Sequence, residues 1–85
     1  MHTTKLQEYI NITKLLMEKG PQNFSQITSI TRINKTFLDQ DLKFLLGANL
    51  IFENLRGQYS IAKSGINILT FFNIASSEKT IKMKR

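Results

Sequence analysis

Arg32, Asn34, Lys35, Thr36, Gln40 and Lys43 crowd into one short stretch, and Arg56, Gly57 and Gln58 follow in a polar break further on. Such residues recognise a polyanion. Lysine and arginine neutralise phosphates, hydroxyls reach phosphates or base edges, and a glutamine amide can pair with adenine through two hydrogen bonds. An arginine beside a loop glycine can ride over or enter a minor groove, where narrow A·T-rich stretches strengthen the attraction. Asp39 and Asp41 complicate this reading. A carboxylate near phosphates is repulsive unless it accepts from cytosine or pairs with Lys35 or Lys43 at helical spacing. Phe37 is the one aromatic placed to meet a thymine methyl, while Phe44 and Phe52 read as core or interface. The plain alternative is an ordinary solvated helix face, with Arg56-Gly57 a solvated turn.

Other chemistries find little support. The chain has no cysteine and one histidine, His2, so thiolate sites, disulfides and a histidine cluster are excluded. There is no glycine-rich phosphate loop and no Ser-His-Asp set. Glu8, Glu18, Asp39, Asp41, Glu53 and Glu78 are expected on exposed faces rather than around one cleft. The reading is therefore not an enzyme, with no cofactor, metal or small-molecule ligand inferred.

The elements that must position these residues follow from spacing. Thr3 or Thr4 caps a first helix running to about Lys19, with Leu6, Tyr9 or Ile10, Thr13, Leu16 and Met17 as its inner stripe. Gly20-Pro21 stops it. Phe24 is expected to bridge to the later hairpin. Ser25 caps a short helix burying Ile27 and Ile30, and a break follows at Thr31 to Ile33. Asn34 then caps a second, longer helix with Leu38, Leu42, Leu45 and Leu46 on one apolar face, ended by Gly47. Leu50-Ile51-Phe52 and Tyr59-Ser60-Ile61-Ala62 flank the loop from Glu53 to Gln58 as a hairpin. Helix, turn, helix and hairpin in that order make a winged helix-turn-helix. The expected fold class is mainly α with a small β-hairpin, a three-helix core plus wing, over residues 1–62.

A C-terminal dimerisation helix is expected at 63–76. Ile66, Ile68, Leu69, Phe71, Phe72 and Ile74 give it more apolar surface than one face can hold. One stripe covers the core, and the other, through Ile68, Phe71, Phe72 and Ala75, is the expected dimer interface. Residues 77–85 read as a basic, flexible tail, equally able to add phosphate contacts or to stay a solubilising end.

Leu15-Leu16-Met17-Glu18-Lys19-Gly20, Ile27, Ile33-Asn34, the run from Leu38 to Leu46, Asn49-Leu50-Ile51, Tyr59-Ser60-Ile61 and Lys63-Ser64-Gly65 together resemble small archaeal winged-helix proteins. The likeness is to the chromatin-associated Sulfolobus ten-a type, over roughly residues 8 to 75. It implies a dimer paired through the terminal helix and bound to double-stranded DNA. By position it implies that Lys35, Thr36, Phe37, Asp39, Gln40 and Lys43 occupy the outer face of the recognition helix, with Arg56 at the wing tip. Two departures stand out. Ile61-Ala62 replaces the usual Leu-Thr before the last helix, leaving Ser64 as its cap, and the last helix is short, which suggests a compact interface.

Composition sets the partners. In 85 residues, twelve lysines and arginines stand against six acids, a formal net charge of +6, which favours polyanions. No apolar run approaches the roughly 20 residues of a membrane span, and the N-terminus lacks the apolar stretch of a secretory signal. The expectation is a cytoplasmic, nucleoid-associated homodimer that binds double-stranded DNA as a regulator or a DNA-coating protein. The alternative is a winged-helix module that binds protein without touching DNA.

Overall fold

The computed structural model describes residues 4–71. The expected interface residues Phe72 and Ala75 and the tail 77–85 lie outside them. In chain order come α1 (Lys5–Lys19), β1 (Gln22–Asn23), α2 (Phe24–Thr31), α3 (Lys35–Gly47), β2 (Ile51–Glu53) and β3 (Gln58–Ile61). Residues 63–71 form a further helix, α4. The antiparallel sheet has the order β1-β3-β2. This is a winged helix-turn-helix with a helix following the wing.

Each helix starts where a side chain meets an orphan N–H. Thr4 caps α1 by accepting from the Gln7 amide at 3.1 Å. Asn34 caps α3 by accepting from the Thr36 amide at 2.8 Å. For α2 the cap is Asn23, not Ser25. Asn23 accepts from the Gln26 amide while the Gln26 side chain accepts from the Asn23 amide, both at 2.8 Å. That reciprocal box satisfies two donors, where Ser25 offered only one acceptor. The strand that reaches the wing is Gln22–Asn23, pairing with Tyr59 and Gln58, so Phe24 opens the helix instead of bridging.

The core is Ile12, Leu15, Leu16, Ile27, Ile33, Leu38, Leu42, Leu45 and Ile51. The expected stripe of α3 is in place, with Leu46 packed at its margin. In α1 the buried line runs through Glu8, Ile12, Leu15 and Leu16, whereas Leu6 and Met17 are exposed. Ile30, expected inside, is 49% exposed because α2 ends one residue later and only Ile27 turns inward. Past Gly47 the left-handed residue is Asn49, at φ 62°.

Helix α4 sits on the domain through Leu69, which is buried, and through Gly65. A Cβ built on Gly65 would overlap the carbonyl oxygen of Leu50 and lie 2.9 Å from Cγ1 of Ile61. The helix starts without the expected Ser64 cap: the Ala62 carbonyl accepts from the Ile66 amide at 3.0 Å. Between α1, the end of α3 and α4 an apolar groove of about 270 Å³ is lined by Leu6, Tyr9, Ile10, Phe44 and Ile68 among others. Tyr9 and Phe44 stack across it, with centroids 4.6 Å apart.

Candidate nucleic-acid interface

Because Leu38, Leu42 and Leu45 anchor α3 inward, the 3.6-residue period turns the opposite side of the helix outward. Lys35, Thr36, Phe37, Asp39, Gln40 and Lys43 are all exposed. The set expected on the outer face is thus brought together on one side of one rigid element. Arg32 stands just before it, exposed, closing α2 in a left-handed conformation at φ 61°. Asn34 is exposed too, but its carboxamide oxygen is occupied by the helix cap.

The two aspartates of α3 are neutralised within the protein. Asp39 pairs with Lys43 at 3.1 Å, one helical turn on, in an exposed contact of modest strength. Asp41 is not on the exposed face as expected: it is fully buried, and its Oδ1 accepts from the Lys5 ammonium at 2.8 Å. Glu8 is likewise buried, with Oε1 at 3.5 Å from the same ammonium. Among the described residues, Oε1 of Glu8 and Oδ2 of Asp41 have no hydrogen-bond partner. A Glu8 carboxyl that keeps its proton would supply the donor that Asp41 otherwise lacks. The Asp41 carboxylate accepting from the Glu8 carboxyl, burial and the Asp41 charge together raise the Glu8 pKa above its ordinary value, against the opposing pull of Lys5. The Lys5 pKa is raised, chiefly by its hydrogen bond to Asp41.

Lys5 also lies 5.0 Å from the centre of the Phe37 ring. It ties α1 to the recognition helix from two sides, a role the sequence did not show. Glu8 and Asp41 are separated by two whole elements, yet each lies on a buried helical line, Glu8 four residues before Ile12 and Asp41 three after Leu38. That spacing was the available signal. Phe37, Phe44 and Phe52 are each about half exposed, so none belongs to the core.

The wing is held by one asparagine. Asn54 Oδ1 accepts from the amides of Arg56 at 2.9 Å and Gln58 at 3.0 Å, and its Nδ2 donates to Gln58 Oε1 at 3.1 Å. Gly57 at φ 76° completes the turn. Gln58, expected at the ligand, is instead half-buried and braces the turn that presents Arg56. Among the described residues Arg32, Lys35 and Arg56 form no ion pair, so their charge is available to an outside partner. Tyr59 beneath the wing is a neutral phenol whose pKa is raised by burial first and by Glu53 and Asp39 next.

Residues 10–52, just over half the chain, match the family model of the bacterial regulatory proteins of the arsR family. The chain belongs to that family. The matched span runs from mid-α1 through the helix-turn-helix into β2, so it contains the whole of α3. The family is one of bacterial regulatory proteins, and the span it matches is the helix-turn-helix itself. Among solved structures the chain is similar to the crystal structure of T. acidophilum IdeR, with a TM-score of 0.65 at 17% identity. The similarity covers 81% of this chain and 33% of that one, and at this identity it shows the fold. The chain therefore spans about a third of the length of that protein. No curated protein matches the sequence. Neither match is to the Sulfolobus ten-a type that the motifs resemble.

Proposed function

We propose that this arsR-family protein is a homodimeric transcriptional regulator that lays α3 in the major groove of duplex DNA and its wing along the minor groove. The observation that carries the reading is the state of the α3 face: Lys35, Thr36 and Gln40 stand outward, while both aspartates of the helix are offset by lysines of the same chain. A helix whose acids are neutralised at home can approach phosphates without the repulsion that its composition suggests. Arg32 at the head of the helix and Arg56 on the wing supply further cations.

The second subunit is argued from the groove between α1 and α4. Leu6, Phe44 and Ile68 each leave between four and six tenths of their surface in water along it. A two-fold partner placing its own Ile68 and Leu6 there buries both sets at once, because an isologous interface presents the same patch twice. The arrangement puts two recognition helices on one side of a duplex.

Selection from random duplexes, followed by affinity measurements across a salt series, tests the reading. A regulator is expected to show log affinity falling linearly with log salt and a preference of about 10³ or more for the selected sequence. A ratio near one makes the protein a DNA coater. No duplex binding at low salt overturns the reading and selects the other one, a protein-binding module, which the half-exposed Phe37 on the same face supports.

A further inference from the structure

Several exposed apolar side chains of the domain have a local use: Leu6, Phe44 and Ile68 line the groove, and Phe37 lies against the Lys5 ammonium. Leu55 has none. It is 107% exposed, with its whole side chain in water at the tip of the wing. Single exposed leucines are ordinary on protein surfaces; the mount and the neighbour set this one apart. The mount is rigid, since Asn54 receives the Arg56 and Gln58 amides on one oxygen and the Asn54 amide itself donates to the Gln58 carbonyl at 2.8 Å. The neighbour is Arg56, exposed and outside any ion pair among the described residues. A pre-ordered turn loses little freedom when it docks.

We propose that Leu55 is an apolar wedge that enters the minor groove between two base pairs, with Arg56 held to the adjoining backbone, so that the protein bends the duplex it binds. The wedge rests on the duplex-binding reading of α3. Partial unstacking lets a leucine bury its surface against base faces, opens the step on its minor-groove side and bends the duplex toward the major groove, where the recognition helix lies. Unstacking is easiest at pyrimidine–purine steps, above all TA. Sequence preference then arises at a step whose base edges no side chain reads. The chemistry differs from that of a wing arginine acting alone, which senses groove width and potential without parting the bases.

The test uses the full chain and a duplex of about 30 base pairs with a donor and an acceptor dye at its ends and 2-aminopurine beside a central TA step. Wild type is expected to draw the dyes together by a bend of between about 20 and 90° and to raise 2-aminopurine emission. L55A is expected to bind about tenfold more weakly, with the bend and the emission change lost and the salt slope kept, whereas R56A flattens the salt slope. L55M keeps the bend. Equal bending and equal emission for wild type and L55A overturn the wedge while leaving the duplex reading intact. Loss of duplex binding by wild type itself overturns both. Because the Leu55 side chain stands wholly in water, L55A and L55M leave the fold of the domain unchanged.

Discussion

Replacing Gly65 by alanine tests how α4 is seated. In an exposed helix the change stabilises by about 1 kcal/mol, since alanine is the better helix former. Here the new Cβ meets the Leu50 carbonyl oxygen and Cγ1 of Ile61. That carbonyl cannot yield cheaply, for it accepts from the Ala62 amide at 2.9 Å, the bond that ties the junction of β3 and α4 to the residue before β2. Overpacking costs about 1–3 kcal/mol, and a backbone obstacle belongs at the upper end. Subtracting the propensity gain leaves a net loss of about 2 kcal/mol, close to the loss from lifting the buried Leu69 off the core. Urea unfolding followed by circular dichroism reads the change as a lower midpoint at unchanged slope. Asn67→Ala, at an exposed position of the same helix, is the control and should stabilise by about half a kcal/mol. If G65A is instead the more stable protein by about 1 kcal/mol, α4 does not rest on Leu50 and the groove beside it is not built as described.

Glu8→Gln should flatten the pH dependence of stability. The folded-state Glu8 pKa is raised, so its contribution is complete below the ordinary carboxyl value and fades as pH climbs through the folded-state value. Urea melts of wild type and E8Q between about pH 5 and 8 should diverge as pH rises, with E8Q the less sensitive; parallel curves would refute the proton kept on Glu8. Lys35→Ala should weaken duplex binding at all sequences and reduce the salt slope by about one, as measured by anisotropy titration; an unchanged slope removes Lys35 from the phosphates. Ile68→Glu should convert the proposed dimer to monomer in sedimentation velocity while the domain stays folded, and a persistent dimer would place the interface away from the groove.

The helix-turn-helix was legible because its signals are local. Asn34 precedes a strict 3.6-residue line of leucines, and Leu38, Leu42 and Leu45 are buried as that line requires. Failures came where a distant contact decided between local options. Leu6 and Met17 are as apolar as Ile12 and Leu15, and only the packing of α2 and α3 selects the line that goes inside. Ser25 and Asn23 were both competent caps, and the reciprocal bond with Gln26 decided for Asn23. Asp41 read as a surface charge, since its partner lies 36 residues earlier and no spacing rule links the two. Gly65 read only as an early residue of the helix expected at 63–76, and its real constraint, the approach of the Leu50 carbonyl, exists only in three dimensions. The outward set on α3 was easier, because fixing one face of a helix fixes the other.

Phe44 and Lys35 belong to the same straight rod, nine residues and about 13 Å apart. One end is stacked on the aromatic ring of Tyr9 and the other reaches into solvent, with Leu38, Leu42 and Leu45 fastening the rod between them. The proposed subunit contact and the proposed duplex contact therefore share one unbroken helix.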